Sequence, residues 1–169
     1  MRNIYFLILG FVLTTGCSGL VAQESDKSAT VHRLTPQGAA ESIGVVSFSD
    51  SQHGLFIQPN LKGMQPGPIG IHVHQNPSCA ASSDGAPGMG AGSHYDPMNK
   101  GAHEGPYGDG HLGDLPVLIV EQDGTVTIPS LAPRLSLSDL NGRSIMVHAG
   151  KDNYGSSPGG GRAYCGVIK

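Results

Sequence analysis

Short runs in which apolar and polar residues alternate recur along most of the chain, and turn-forming residues separate them. Alternation with a period of two predicts strands that bury one face. We interpret as strands a run that begins at Val31 and the residues 41–49, 55–57, 69–74, 117–121, 125–128, 145–148 and 164–168. Residues 136–140 alone have the pattern of a helical turn. Roughly eight short strands predict an all-β fold, either a sandwich or a barrel.

Two glycine-rich stretches, residues 78–113 and 150–161, break the strand pattern. The chain of 169 residues contains 26 glycines and 12 prolines, and both residue types destabilise helices. A loop as long as the first stretch is either functional or disordered in a compact domain. The histidines in and beside the two stretches favour function.

The first residues have the features of an export signal. A positive charge at Arg2 precedes the apolar residues 4–13, and small residues then lead to Cys17. A membrane span needs about 20 apolar residues, so this shorter run predicts a signal peptide over residues 1–16. Cys17 resembles the lipidated cysteine of a bacterial lipoprotein. The alternative is ordinary secretion with cleavage near Ala22.

Residues 17–29 follow as a predicted flexible tether, and residues 30–169 form one predicted domain. Export also accounts for the odd number of cysteines. If Cys17 is lipidated or removed, Cys79 and Cys165 remain, and two cysteines in an exported domain predict one disulfide. The alternative is two free thiols, which an oxidising compartment disfavours.

The charge balance limits the partners. The formal net charge is −3, from 10 basic and 13 acidic residues. Nucleic acids and anionic membrane surfaces bind basic patches, so this balance argues against both. An anionic substrate would need a local positive field to attract it.

The histidines point to metal chemistry. His72 and His74 share one face of the predicted strand over residues 69–74, about 7 Å apart along it. His148 shares a face with Met146 in the same way. Imidazoles on rigid strands, with further histidines in a glycine-rich loop, predict a metal site. Six of the eight histidines belong to this set: His72, His74, His94, His103, His111 and His148.

The first glycine-rich stretch contributes His94, His103 and His111, and Asp114 follows directly. Three imidazoles and one carboxylate complete a tetrahedral zinc set without an open position, which predicts a structural zinc. The surrounding glycines allow the turns that bring such separated ligands together. The alternative is a polar loop whose histidines are incidental.

Five segments in register give the chain a specific resemblance. They are residues 70–74 (Gly-Ile-His-Val-His), 93–97 (Ser-His-Tyr-Asp-Pro), 110–116 (Gly-His-Leu-Gly-Asp-Leu-Pro), 146–148 (Met-Val-His) and 161–168 (Gly-Arg-Ala-Tyr-Cys-Gly-Val-Ile). Over residues 30–169 the chain resembles copper–zinc superoxide dismutase of the bacterial exported type. The resemblance implies an eight-stranded Greek-key sandwich or barrel with long metal-binding and active-site loops.

The resemblance also implies a site with one copper and one zinc per chain. The implied copper ligands are His72, His74, His94 and His148. The implied zinc ligands are His94, His103, His111 and Asp114, so that His94 is shared by both metals. Asp152 is implied to orient His72 and His103, and Cys79 and Cys165 to form the disulfide.

The implied reaction converts superoxide into dioxygen and hydrogen peroxide, with Arg162 and His94 as catalytic residues. Arg162 is implied to orient the anion at copper. The implied location is the periplasm, with a lipid anchor at Cys17 as one option. The sequence leaves open whether the protein is a monomer or a homodimer. Two departures from the family pattern weaken the expected electrostatic steering of the substrate. The loop between His148 and Arg162 is shorter than is usual in the family, and residues 80–85 lack the lysine that exported bacterial members often carry.

The main alternative is an exported protein that binds or delivers copper or zinc without turnover. Arg162 favours the enzyme, because storage needs no cation that binds an anion. A blue-copper electron carrier would need a free cysteine ligand, and a zinc hydrolase would need an open position on the metal. The residues favour neither of these.

Overall fold

The computed structural model describes residues 26–155 and 158–169. The predicted signal peptide over residues 1–16, Cys17 and most of the predicted tether lie outside this range. The first strand already begins at Lys27, so the last three residues of the predicted tether belong to the folded domain. Within the described residues, no helix is long and apolar enough to cross a membrane.

The described residues form nine strands and two single-turn 3₁₀ helices. The helices are Met89–Ala91 and Leu137–Leu140. The strands are β1 (Lys27–Thr35), β2 (Gly38–Ser51), β3 (Gly54–Leu61), β4 (Gly67–Ile69), β5 (Ile71–His74), β6 (Leu118–Val120), β7 (Ser130–Ala132), β8 (Ser144–His148) and β9 (Arg162–Val167). The all-β prediction is therefore confirmed, with one strand more than the eight implied.

Seven strands pair in the order β5-β8-β9-β1-β2-β3-β7, in a curled antiparallel sheet that forms a half-barrel. The remaining two, β4 and β6, form a small antiparallel sheet. Alternate residues of β3 are buried, and three of them (Leu55, Ile57 and Leu61) pack in one apolar core with Leu118 and Val120 of β6. The period of two therefore sets which face of each strand enters the core.

The structure divides one predicted strand, lacks another and contains the predicted helical turn. The predicted strand over residues 69–74 is divided at Gly70, because the chain passes there from the small sheet to the large one. The predicted strand over residues 125–128 is wrong: Val126 alone bridges to Leu61. The helical turn over residues 136–140 is confirmed, and its first turn is closed by hydrogen bonds between Ser136 and Asp139.

Each of two loops follows a strand that carries histidines. The long loop (residues 75–117) connects β5 to β6, and the glycine-rich loop (residues 149–161) connects β8 to β9. The long loop returns to β5 at two points, where His94 bridges to His74 and Asp114 bridges to His72. Backbone hydrogen bonds from β5 thus fix the positions of two loop residues that the sequence predicts as ligands.

Candidate metal centre

Three of the predicted ligands lie on strands. His72 and His74 are on β5, and His148 ends the neighbouring strand β8. Both faces of β5 are buried, because Ile71 and Val73 enter the core while the two loops cover the histidine face. The strand ladder therefore holds the three imidazoles at fixed positions.

Each of these imidazoles has one nitrogen engaged in a hydrogen bond. His72 donates from Nε2 to Asp152 Oδ2 over 2.7 Å, since a carboxylate can only accept. His74 donates from Nδ1 to the Gly92 carbonyl over 3.0 Å, and His148 from Nδ1 to the Gly160 carbonyl over 2.9 Å. The opposite nitrogen of each ring, which then carries a lone pair, is buried without a hydrogen-bond partner.

Burial keeps these imidazoles neutral. It lowers the pKa of His72 to about 3 and the pKa of His74 to about 2, and it also lowers the pKa of His148. A neutral imidazole with a free lone pair is the form that binds metal. Together with His94, the three residues offer ligand atoms that all lie within 4.8 Å of one another. The donor set therefore fits a transition-metal ion such as copper.

The predicted zinc ligands gather around one carboxylate. Asp114 Oδ1 lies 2.8 Å from His94 Nδ1 and 3.5 Å from His111 Nδ1, and Asp114 Oδ2 lies 2.9 Å from His103 Nδ1. The Nδ1 atoms of His103 and His111 are buried. Three imidazoles and a carboxylate are a donor set that zinc takes.

The two donor groups overlap. A second set of ligand atoms within 4.8 Å of one another belongs to His72, His94, His103 and Asp114, and His111, whose Nδ1 lies 3.5 Å from Asp114 Oδ1, is in neither set. His94 occurs in both sets, as expected for a residue between two metals. The His72 and His94 rings stack with centroids 4.0 Å apart, which brings the two groups into one centre.

The charges around Asp114 and His103, in the predicted zinc group, favour the binding of a cation. Burial raises the pKa of Asp114, but the hydrogen bond from His94 and the charge of His103 outweigh it and leave this pKa lowered. Burial lowers the pKa of His103, yet hydrogen bonding to Asp152 and the charge of Asp114 leave this pKa raised. The imidazole of His103, which lies between two carboxylates, thus attracts a proton, and a metal ion can take the place of that proton.

Asp152 connects the copper and zinc groups by accepting a hydrogen bond from one imidazole of each. It is 2% exposed, and its Oδ2 accepts from His72 while its Oδ1 accepts from His103 Nε2 over 2.8 Å. Burial alone would raise the pKa of Asp152, but these hydrogen bonds hold it well below its usual range. An ionised carboxylate therefore sets the orientation of one imidazole in each group.

Arg162 and the disulfide tie the long loop to β9. The guanidinium of Arg162 donates to the carbonyls of Gly88 and Gly92, each over 2.6 Å. The predicted disulfide between Cys79 and Cys165 is present, with its Cα atoms 5.7 Å apart. The half-buried Arg162 is thus held beside His74 and His148.

Comparisons with known proteins agree with this geometry. A family model described as copper/zinc superoxide dismutase matches residues 42–168. The chain belongs to this family. A superoxide dismutase [Cu-Zn] of Legionella pneumophila is 42% identical, and the match covers all of both chains.

Two solved structures of superoxide dismutases are also similar. The copper/zinc superoxide dismutase of Brucella abortus is 42% identical with a TM-score of 0.81, over 85% of this chain and all of that one. A copper, zinc superoxide dismutase of Salmonella enterica, described as monomeric, is 44% identical with a TM-score of 0.74, over 84% of this chain and 98% of that one.

Three residues that no sequence motif marks support the centre of this superoxide dismutase family member. Arg134 donates to the carbonyls of Gly108, Gly110 and His111, which holds the long loop beside a predicted ligand. Arg143 stacks on the Tyr95 ring, 3.9 Å from its centroid. Tyr154 donates its backbone N–H to Asp152 over 2.7 Å. The contacts of Arg134 and Arg143 join residues far apart in the sequence, and Tyr154 contacts Asp152 through a backbone N–H, so no local motif marks any of the three.

Proposed function

We propose that the protein disproportionates superoxide, so that two superoxide anions and two protons give dioxygen and hydrogen peroxide. The observation that carries the proposal is the cluster of buried imidazole nitrogens without hydrogen-bond partners, in a chain of this family. His72, His74, His94 and His148 would hold copper, and His94, His103, His111 and Asp114 would hold zinc. When bound, copper supplies one-electron redox chemistry and zinc supplies a fixed positive charge.

Arg162 binds and orients the anion. Two carbonyls of the long loop hold its guanidinium, so the charge has a fixed position and little rotational freedom is lost when an anion binds. Burial lowers the pKa of Arg162, yet a guanidinium remains charged at any physiological pH. In a chain of net charge −3, this arginine supplies local attraction for superoxide.

His94 carries a proton to the reduced substrate. Its Nδ1 side is fixed next to Asp114, and its side chain is 13% exposed, so solvent protons can reach the ring. When Nε2 is not engaged as a ligand, it can take up a proton and donate it to the product as hydrogen peroxide forms. The other imidazoles of the copper group are almost fully buried and have no such access.

We expect protein loaded with one copper and one zinc per chain to remove superoxide generated by xanthine oxidase, followed through cytochrome c reduction. Cyanide, which binds copper, should abolish the activity, and protein loaded with zinc alone should be inactive. Full metal uptake without superoxide removal would contradict the proposal and favour a protein that stores or delivers metal.

Arg162→Ala is the variant that separates an enzyme from a storage protein. Loss of the guanidinium should slow the reaction at low salt by about tenfold, because local positive charge raises the rate of anion capture. Both metals should remain bound, and Arg162→Lys should recover part of the rate. Arg33→Ala, which breaks an exposed pair with Glu41, is the matched control. An unchanged rate at low salt would exclude Arg162 from anion capture.

We also propose that the chain is exported, with residues 1–16 as its signal and Cys17 as a lipidated residue. The disulfide supports an oxidising compartment such as the periplasm. Cell fractionation after expression of the full chain should find the protein outside the cytoplasm and on the membrane, and Cys17→Ser should release it from the membrane. Cytoplasmic protein with free thiols would contradict export, and a soluble periplasmic protein would contradict lipidation.

A further inference from the structure

Tyr154 has a backbone conformation that a bulky residue rarely adopts. Its φ angle is 54°, and Asn99 is the only other non-glycine residue with a positive φ in the described part of the chain. Asparagine tolerates this left-handed conformation because its short side chain can bond locally, whereas tyrosine has no such advantage. Contacts made by the tyrosine itself must therefore hold the loop in this shape.

The Tyr154 side chain makes those contacts with the long loop and its junction with β6. The phenol oxygen accepts a hydrogen bond from the Val117 N–H over 2.9 Å, directly before β6. The ring covers Gly105, where a Cβ atom would lie 2.6 Å from the ring carbon Cγ. Tyr154 therefore fastens the glycine-rich loop to the segment of the long loop that contains His103.

The backbone of Tyr154 transmits this position to Asp152. Its N–H donates to Asp152 Oδ1 over 2.7 Å, and the same oxygen accepts from His103 over 2.8 Å. The second oxygen of Asp152 accepts from His72. A shift of Tyr154 would thus move the acceptor that orients one imidazole in each metal group.

We infer that Tyr154 is a positioning residue of the metal centre: its side chain sets the glycine-rich loop so that Asp152 orients His103 and His72. The inference rests on the proposed ligand roles of these histidines. It assigns a role in metal retention to a residue that contacts neither metal group with its own side chain. The effect should be larger for zinc, because His103 lies on a loop while His72 is held by the strand β5.

The test uses Tyr154→Asn, which removes the ring and the phenol but keeps the backbone N–H and tolerates a positive φ. Zinc release from the loaded protein into a chromogenic chelator should become about tenfold faster, as for other losses of support around ligands. Cobalt(II) placed in the zinc site should give an altered visible spectrum. Tyr154→Phe keeps the ring on Gly105 and should restore most of the wild-type release rate.

Tyr107→Asn is the matched control, because Tyr107 lies in the long loop but is 72% exposed. It should leave zinc release and the cobalt spectrum unchanged. If Tyr154→Asn lowers only the melting temperature while both readouts match the wild type, Tyr154 is a structural residue alone and the inference is wrong. Neither readout depends on superoxide removal, so a failure of the proposed activity would be seen separately.

Discussion

Replacing Cys79 with serine is expected to lower the free energy of unfolding of the metal-free protein by about 4 kcal/mol. The bond to Cys165 spans a sequence separation of 86, and a cross-link between such distant residues removes much of the entropy of the unfolded chain. Cys79 is half-buried, so the new hydroxyl can reach water, whereas Cys165 is fully buried and serine there would add a desolvation cost. Urea denaturation measures the change.

Metal-free protein is required, because bound metal would add its own stabilisation to the folded state. A reductant should bring the wild type to the stability of Cys79→Ser and leave the variant unaffected, which serves as the control. The bond also anchors the part of the long loop whose carbonyls hold Arg162, so the loaded variant should lose activity as well. A free energy of unfolding within about 1 kcal/mol of the wild type would contradict this account.

The strand-borne half of the centre is predictable from sequence because a strand has a fixed period. Once residues 69–74 are identified as a strand, Ile71 and Val73 must face one way and His72 and His74 the other. The structure has this arrangement, and β8 repeats it with His148. Three imidazoles therefore follow from a local pattern with no knowledge of the rest of the chain.

The loop-borne half depends on contacts that no local pattern encodes. Loop glycines permit many paths, and the path taken is set by bridges from His94 and Asp114 back to β5. Residue types and the family resemblance predict which side chains lie together. The physical cause, the pairing of loop residues with β5, is seen only in the fold. The same applies to the missed strand β7, whose three residues are ordered by pairing with β3.

Arg134 and Tyr154 show most clearly which supporting residues cannot be predicted from the sequence. Arg134 follows a proline in an ordinary turn, and its donors reach carbonyls 23 to 26 residues away. Tyr154 stands in a glycine-rich stretch and bonds to Val117, 37 residues away. Neither residue belongs to a motif, because the groups that each one binds are backbone atoms, which every residue possesses.

Asp152→Asn is expected to weaken zinc binding by 10- to 100-fold, a magnitude typical of losing a partner that orients a ligand. The carboxylate accepts hydrogen bonds from His72, His103 and the Tyr154 N–H. An amide has one acceptor oxygen, so its NH₂ group must face a donor on one side. That imidazole then turns away, or it exchanges its tautomer and gives up the lone pair that a metal needs.

Zinc should be affected more than copper, because the two imidazoles differ in how the backbone holds them. His72 lies within the hydrogen-bonded pair of β5 and β8, whereas His103 is on the long loop and can move when its partner is lost. Competition with chelators of known affinity measures both metals in the same protein, and Asp84→Asn in an exposed turn is the matched control. A larger loss of copper affinity than of zinc affinity would show that strand placement does not protect His72. If the variant bound each metal as tightly as the wild type does, Asp152 would have no role in the centre.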